Sequence, residues 1–291
     1  AHQKRLSPKF LYDAEGARLF DAICATPEYY ITRTEEGMLR ERAKEMAECV
    51  GTGGLLVEPG AGNGRKVRLL LEALKPAMYM PVEIFKSYLD GAVRQLADEY
   101  PWLSVRAAQA DFTALSALPF APRHLRRVIF FPGSTIGNFE PQEAVRLLSR
   151  MARLAGPGGT LVVGVDLKKA SDRLEAAYND ASGYTAAFNR NLLFRINREL
   201  GADFEPGAFR HRAFYHRAKG RVEMHLVSET DQTVRIEDTR FRFRRGESIH
   251  TENSYKYTLG EFRDLAVASG IEPLAAWTDP ERLFSIHVLK V

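Results

Sequence analysis

The chain has 291 residues, of which 45% are hydrophobic and 10% aromatic, a composition typical of a globular protein with one large core or two smaller ones. Its 41 basic residues are nearly balanced by 37 acidic ones, so the net charge of +4 is weak evidence for a nucleic-acid partner. Two cysteines, Cys24 and Cys49, cannot form a disulfide framework, and neither a membrane-spanning run nor a signal peptide is recognisable. These features predict a cytoplasmic protein without a membrane partner.

Residues 1–33 precede the first long predicted helix, whose start is indicated by the capping pattern Thr32-x-x-Glu35. This segment contains the aromatic residues Tyr12, Phe20 and Tyr29. Aromatic side chains most often pack in a core. Here we expect the segment to join a later insertion in covering a cofactor.

A predicted strand at 55–57 runs into Glu58 and a Gly-x-Gly-x-Gly loop. The three glycines are Gly60, Gly62 and Gly64. Such a loop turns tightly with positive φ and brings backbone N–H groups close to a ligand. A nicotinamide dinucleotide site would place its third glycine at position 65, which is Arg65. The spacing therefore favours S-adenosylmethionine over a dinucleotide. In enzymes that use this cofactor, the acidic residue that opens the loop, here Glu58, helps to hold the methionine ammonium. A glycine-rich loop by itself is also compatible with an ordinary βα turn.

The elements that follow alternate in the order of a doubly wound parallel sheet. Strands are predicted at 78–83, 103–109, 127–131 and 160–166, and helices at 87–100 and 141–154. Glu83 ends the second strand, where ribose hydroxyls bind in such folds. Asp111 and Phe112 follow the third strand and are expected to face adenine. The loop at 132–139 follows the fourth strand, at the edge where a transferred methyl group would lie.

About ninety residues after Asp166 have a different character. A helix is predicted over 174–200 with a break near 182–183, and alternating segments at 221–226, 233–236 and 241–244 predict antiparallel strands. The first pattern returns with a helix at 259–269 and a strand at 284–289. The sequence therefore predicts an inserted domain and a discontinuous α/β domain around it.

Neither a metal site nor a nucleic-acid site is indicated. His211 and His216 lack accompanying cysteines and a zinc-like spacing, so they are interpreted as surface histidines. The basic run 240–245 alternates arginine with phenylalanine, which predicts a strand with Arg242 and Arg244 on a solvated face. Amino methyltransferases that act on bases commonly carry Asn/Asp-Pro-Pro-aromatic after the fourth strand, whereas residues 138–141 here are Asn-Phe-Glu-Pro.

Several motifs that are unusual elsewhere carry a specific resemblance. They are Pro27-Glu28-Tyr29-Tyr30-Ile31-Thr32-Arg33-Thr34-Glu35, Gly133-Ser134-Thr135-Ile136-Gly137-Asn138, Ala187-Phe188-Asn189-Arg190-Asn191 and Thr251-Glu252-Asn253-Ser254-Tyr255-Lys256-Tyr257. With them, essentially the whole chain resembles the histidine Nα-methyltransferases that open ergothioneine biosynthesis. The resemblance implies that L-histidine is converted to Nα,Nα,Nα-trimethylhistidine (hercynine) with three molecules of S-adenosylmethionine.

The resemblance also implies the fold and its division. A Rossmann-like class I methyltransferase domain is expected at 34–168 and 258–291. A smaller α+β substrate-binding domain is expected from the N-terminus and the insertion, at 1–33 and 169–257. We expect the enzyme to be a monomer.

The resemblance and the loop together imply the site residues. For S-adenosylmethionine these are Tyr29, Glu58, Gly60, Gly62, Gly64, Lys66, Glu83, Asp111 and Phe112. For histidine, Asn138 and Tyr178 are expected at the carboxylate and Gly133 and Tyr12 near the amine, with Phe20, Tyr29, Thr185, Met224, Glu252 and Ser254 completing the pocket. Two features depart from the pattern, because Pro59 and Asn63 lie where relatives vary and Glu83 replaces a frequent Asp.

The chemistry of individual residues agrees with a histidine substrate. Glu252 and Ser254 lie two apart in a predicted strand, so both face one way and together can meet the two ring nitrogens of an imidazole. Tyr12 is the catalytic candidate, since a phenol can relay or transiently accept the proton of the amine. Alternatives that stay open are an N-methyltransferase of another amino acid or small amine, a nucleic-acid or protein methyltransferase, and a noncatalytic S-adenosylmethionine sensor.

Overall fold

The structure, a computed structural model, describes residues 3–291 except for the side chains of residues 86–88 and 92. The helices are α1 Ala14–Ala25, α2 Tyr30–Val50, α3 Arg68–Leu74, α4 Lys86–Glu99, α5 Pro141–Ala155, α6 Ser171–Ala176, α7 Tyr184–Leu200 and α8 Leu259–Ala268. The strands are β1 Lys4–Arg5, β2 Leu55–Pro59, β3 Met78–Glu83, β4 Ser104–Val105, β5 Ala108–Gln109, β6 Arg127–Phe131, β7 Thr160–Asp166, β8 Phe209–His216, β9 Arg221–Ser228, β10 Gln232–Ile236, β11 Thr239–Phe243, β12 Ser248–Tyr255, β13 Glu272–Thr278 and β14 Phe284–Lys290. Among the described residues, no helix combines the length and the apolar character that crossing a bilayer requires.

The chain separates into two compact units. The first unit comprises Ala1–Tyr30 and Lys169–Tyr255, and the second unit comprises Ile31–Lys168 and Lys256–Val291.

The second unit is built on a sheet with strand order β13-β14-β7-β6-β2-β3-β4, and β5 also pairs with β3. The strands from β7 to β4 are parallel, whereas β14 runs antiparallel to both β7 and β13. Strands β2 and β7 are buried along their whole length, as expected for a parallel sheet covered on both faces. The strand order reverses between β2 and β6, which is where such sheets bind ligands. This topology confirms the predicted α/β fold, although the predicted strand at 103–109 is two short strands, β4 and β5.

Helix α2 begins at Tyr30, so the predicted start near Thr32 is wrong. Thr32 is 6% exposed and Glu35 is 1% exposed. The Glu35 carboxylate accepts hydrogen bonds from the Gly133 N–H, in a loop distant in sequence. The pattern resembled a capping box because a buried acidic residue happened to follow a threonine at the same spacing.

The first unit contains a four-stranded sheet, β1-β12-β9-β8, and a two-stranded ribbon, β10-β11. The predicted helix at 174–200 is two helices, α6 and α7, and the break between them, residues 177–183, is wider than the predicted one near 182–183. Gly183, with φ of 74°, directly precedes α7. The hydrophobic core of this unit includes Phe204, Phe209, Leu226, Phe243 and Ile249. On β11 the predicted solvated face is confirmed for Arg242, which is exposed, whereas Arg244 lies beyond the end of the strand.

Strand β12 carries a β-bulge next to the predicted substrate residues. His250 pairs with His225 of β9, and the next pair is Glu252 with Met224, so Thr251 is the extra residue. The Thr251 hydroxyl donates to the Met224 carbonyl at 3.1 Å. A bulge shifts the alternation of side chains by one position.

Because of this shift, odd-numbered residues face one side of the sheet before Thr251, and even-numbered residues face that side after it. Ile249 before the bulge and Glu252 and Ser254 after it share one face of the sheet with Met224. His250 lies on the opposite face. We call these two surfaces the pocket face and the rear face.

Candidate active site

The glycine loop that follows β2 has the backbone that the sequence predicted. Gly60, Gly62 and Gly64 have φ values of 70°, 55° and 64°, a region that side-chain-bearing residues rarely adopt. The Gly62 N–H donates to Oε2 of Glu83 at 3.3 Å. The Glu83 Oε1 accepts from the Ile84 N–H at 2.8 Å. The loop and the carboxylate expected at the ribose are therefore held together at the carboxyl ends of β2 and β3.

Glu58, the last residue but one of β2, lies 2% exposed inside the second unit. The Tyr79 hydroxyl donates to its Oε2 at 2.5 Å. Burial raises the pKa of Glu58 to about 8, against the opposing effects of the Tyr79 hydrogen bond and the Lys66 charge. A cation bound beside this carboxyl would favour its ionised form.

Asp111 and Phe112 lie on the loop after β5. Oδ1 of Asp111 accepts from the N–H and the hydroxyl of Thr113, at 2.9 and 2.5 Å. The Phe112 ring packs edge-on against Phe131, with ring centroids 5.6 Å apart. A Cβ placed on Gly60 would lie 3.5 Å from this ring. Phe112 thus forms an apolar wall directly beside the glycine loop.

Glu35 organises the loops at the carboxyl ends of the strands, a role that the sequence did not reveal. Its carboxylate accepts from the Gly133 N–H at 2.8 and 2.9 Å and pairs with the Lys66 Nζ at 2.6 Å. A Cβ on Gly164 of β7 would lie 2.0 Å from Oε1 of Glu35. The absent side chain at Gly164 therefore provides the space that this carboxylate occupies.

In the first unit, the predicted aromatic residues form one cluster. Tyr12 contacts Phe20 with ring centroids 5.5 Å apart, and Phe20 contacts Tyr29 at 6.0 Å. Phe188 of α7 joins the cluster, 5.4 Å from Tyr12 and 5.9 Å from Phe20. The sequence contained Phe188 in a family motif but did not assign it to the site. Tyr29 also packs edge-on against Tyr178 at 6.2 Å, so the cluster extends to a predicted carboxylate ligand.

The pocket face of β12 meets this cluster. The Tyr178 hydroxyl donates to the Ser254 Oγ at 2.7 Å. Glu252 is 8% exposed and Met224 is 2% exposed, so neither is a solvated strand residue. Burial raises the pKa of the Tyr29 phenol well above its usual range, and the nearby Tyr178 and Glu252 add to that shift. The structure thus brings Glu252 and Ser254 to the aromatic cluster.

The remaining predicted residues are divided between the units. Thr185 is a buried residue in the first turn of α7, in the first unit. Gly133 and Asn138 belong to the second unit, on the loop that follows β6. Of the residues predicted for S-adenosylmethionine, Tyr29 is in the first unit and the others are in the second.

The interpretation of His211 as a surface histidine is wrong. Its Nε2 lies 2.9 Å from the Tyr178 carbonyl and its Nδ1 lies 3.0 Å from the Asn189 Nδ2. Burial lowers the pKa of His211. A neutral ring with its proton on Nε2 satisfies both contacts, since Asn189 then donates to Nδ1. His211 therefore fixes the backbone of Tyr178.

A second group of histidines lies on the rear face. Ligand atoms of Glu223, His225 and His250 all lie within 4.8 Å of one another, and the three residues are buried. The sequence did not indicate this group, because strand pairing brings it together from β9 and β12.

Comparisons with known proteins agree with this geometry. The model of a family described as S-adenosylmethionine-dependent, histidine-specific methyltransferases matches residues 1–291. The chain is 40% identical to a histidine N-alpha-methyltransferase of Mycolicibacterium smegmatis, over 99% of this chain and 91% of that protein. It is 30% identical to ergothioneine biosynthesis protein 1 of Neurospora crassa, over 98% of this chain and 33% of that protein. An S-adenosylmethionine-dependent methyltransferase structure from Clostridium acetobutylicum superposes with a TM-score of 0.54 at 11% identity, covering 94% of this chain and 98% of that one, which shows the fold alone.

Proposed function

Because this chain belongs to the family of S-adenosylmethionine-dependent, histidine-specific methyltransferases, we propose that it methylates the α-amino group of L-histidine. Successive transfers would give Nα,Nα,Nα-trimethylhistidine, hercynine, as the first step of ergothioneine biosynthesis. The similarity to a histidine N-alpha-methyltransferase and to an ergothioneine biosynthesis protein supports both parts of the proposal.

The observation that carries the proposal is the buried carboxylate of Glu252 beside the Ser254–Tyr178 hydrogen bond. The Glu252 carboxylate offers acceptor oxygens on the pocket face, and an imidazole N–H is a suitable donor to such a group. Ser254 can donate to or accept from the other ring nitrogen. Met224 supplies an adaptable apolar wall on the same face.

The second unit fits S-adenosylmethionine. The positive-φ glycines present a loop that approaches a ligand closely, Glu83 offers acceptors for the ribose, and Phe112 walls the loop beside Gly60. When bound, S-adenosylmethionine supplies an electrophilic methyl group on a sulfonium. Asp111 would accept a hydrogen bond from adenine, and the carboxyl of Glu58 would attract the methionine ammonium.

The chain's own contribution to the reaction is to present a neutral amine in line with that methyl group, since positioning supplies much of the rate in such transfers. An α-amine has a pKa near 7.7–8.0 in model compounds, so it loses its proton with modest help. Tyr12 is the candidate to relay that proton. The faces of Tyr12, Phe20 and Tyr29 can hold the growing ammonium through cation–π contact. We also propose that the enzyme is a monomer and acts in the cytoplasm.

Mass spectrometry of the purified enzyme with S-adenosylmethionine and a mixture of amino acids tests the proposal. We expect histidine to gain one, two and then three methyl groups, while the other amino acids stay unmodified. Methylation of a different amine in preference to histidine would instead assign the site to that small molecule. Methylation of RNA or protein without any of histidine would contradict the proposed substrate class.

A further inference from the structure

The rear face of the first unit's sheet carries a buried polar cluster that methyl transfer does not use. Arg221 pairs with Glu223 at 2.6 Å, and His225 Nε2 lies 3.0 Å from the other oxygen of Glu223. The rings of His225 and His250 stack, with centroids 4.6 Å apart and planes 9° from parallel. All four side chains are buried.

Two imidazoles and a carboxylate suggest a metal site, but the geometry opposes one. A metal ion lies in the plane of each imidazole that binds it, about 2 Å from the nitrogen. Stacked, nearly parallel rings do not share such a point. Glu223 is moreover already neutralised by Arg221, and His225 Nδ1 is engaged by the Ser248 Oγ at 3.1 Å.

The contact of His250 leads instead to the substrate pocket. Its Nε2 lies 3.1 Å from the carbonyl oxygen of Glu252, on the other side of the bulged Thr251. A carbonyl can only accept, so the ring must carry its proton on Nε2 and donate it. The hydrogen bond from His250 therefore stabilises the bulge on the rear face. The hydrogen bond from the Thr251 hydroxyl to the Met224 carbonyl connects the bulge to β9.

This bulge decides where Glu252 points. A regular strand would place residues 250 and 252 on the same face. Glu252 would then share the rear face with His225 and Glu223, and the carboxylate would leave the pocket. Because one residue of slip moves a side chain to the other face, whatever fixes the bulge also fixes the position of Glu252.

We propose that His250 is a positioning residue for histidine recognition: its hydrogen bond to the Glu252 carbonyl holds the bulge that directs Glu252 into the pocket. The stack against His225, itself bonded to Glu223 and Ser248, fixes the orientation of the His250 ring. The inference rests on the proposed function only for the identity of the substrate that Glu252 binds. The placement of Glu252 is a property of the strand itself.

Two variants of His250 test the role. His250→Leu replaces the donor with an apolar side chain of similar size, whereas His250→Gln keeps an N–H donor at a similar distance from the backbone. We expect His250→Leu to raise the KM for histidine on the order of tenfold, from the loss of one buried hydrogen bond, with kcat and the Kd of S-adenosylmethionine changed much less. His250→Gln should recover most of the loss. His287→Leu, which removes a buried histidine of β14 in the second unit, is the control for nonspecific destabilisation.

Hydrogen exchange of the folded enzyme, read out in the proteolytic fragment that covers residues 248–255, is a measurement that needs no substrate. We expect faster exchange of the β12 amides in His250→Leu, near-normal exchange in His250→Gln, and no change there in His287→Leu. Unchanged exchange, together with an unchanged KM, would overturn the positioning role even if the enzyme methylates histidine. A wild-type enzyme inactive on histidine would overturn the proposed function alone, since the exchange comparison still decides the role of His250. Thermal stabilisation of the wild type by zinc, lost in both variants, would assign the cluster to a metal ion instead.

Discussion

Glu252 is the residue on which the proposed selection of histidine depends most. Glu252→Gln keeps the size and one acceptor but loses the charge, so a charge-assisted bond to imidazole predicts a loss of roughly 1–2 kcal/mol in kcat/KM for histidine. Glu252→Ala should cost more, because the imidazole N–H is then left unpaired. The affinity for S-adenosylmethionine should barely change in either variant.

The kinetics of the Glu252 variants should be followed from about pH 6 to 9, since imidazole and amine protonation both change in that range. Wild-type kinetics for both variants across the range would show that histidine is recognised elsewhere.

Asp111 offers a similar test for the cofactor. Asp111→Asn keeps an oxygen for the Thr113 N–H and replaces the other acceptor with a donor, so the bond expected to adenine is lost and the turn is retained. We expect calorimetry to show binding of S-adenosylmethionine weakened by roughly 1–3 kcal/mol. Thr113→Val, which loses the hydroxyl contact to the same carboxylate, is the matched control and should bind normally. If Asp111→Asn and the wild type bind S-adenosylmethionine with equal affinity, Asp111 does not contact the cofactor.

Strand β7 provides a prediction at the scale of elements. Gly164→Ala would place a Cβ 2.0 Å from Oε1 of Glu35, and 3.0 Å from the Phe284 ring. Glu35 would have to move, releasing the Gly133 N–H and the Lys66 ammonium together. We expect lower stability and weaker S-adenosylmethionine binding, measured by urea denaturation and calorimetry.

The double variant Gly164→Ala with Glu35→Ala distinguishes the effect of the steric clash at residue 164 from the effect of losing the Glu35 contacts with Gly133 and Lys66. Removing the Glu35 carboxylate should recover part of the stability that Gly164→Ala loses, without restoring cofactor affinity. If Gly164→Ala alone binds S-adenosylmethionine normally, the Glu35 network does not support the cofactor loops.

Most elements of the second unit were predicted from sequence, although α3 and β13 were not. Strands β3, β6 and β7 have the predicted limits, because a doubly buried parallel strand is a continuous apolar run bounded by polar residues. The first unit was predicted less well, since β8 and the β12 bulge were missed. Residues 209–216 mix buried and exposed positions without strict alternation, so their periodicity indicates no strand.

The site shows the same limit. The resemblance assigned Glu252 and Ser254 to the pocket, and their spacing placed them on one face because alternation holds on their side of the bulge. His250 contacts a carbonyl only two residues away, but across a bulge that the sequence does not show. His211 and Glu35 were not recognised, because each contacts the backbone of a residue distant in sequence that only folding brings near. Such a contact leaves no local pattern in the sequence.

For the molecule as a whole, buried histidines predict how stability depends on pH. Burial lowers the pKa of His287 to about 4, and burial also lowers that of His250 to about 4. The unfolded chain, with histidine pKa near 6.5, binds the proton first as the pH falls. The contribution of these two histidines to the free energy of unfolding should therefore be complete above about pH 6.5 and should decline towards pH 4.

Urea denaturation at pH 7 and pH 5 checks this expectation. His287→Gln, which stays neutral at both values, should lose less stability between them than the wild type, by about 2 kcal/mol for a shift of this size. An equal decline in the wild type and His287→Gln would show that the acid sensitivity comes from other groups.

The buried pair of Asp166 and Lys256, 2.6 Å apart, has a consequence for how this chain can diversify. The pair, with the bridge between Leu167 and Tyr257, holds residues 166–168 and 256–257 side by side in the second unit, where the chain leaves for and returns from the segment at 169–255. Because the two ends of the segment at 169–255 are held next to each other, we expect that this segment can change in length or sequence among homologues without shifting the register of β7. If the proposed site residues are correct, replacing the segment at 169–255 should change the amine that is methylated and leave the residues proposed for the methyl donor in the second unit unchanged.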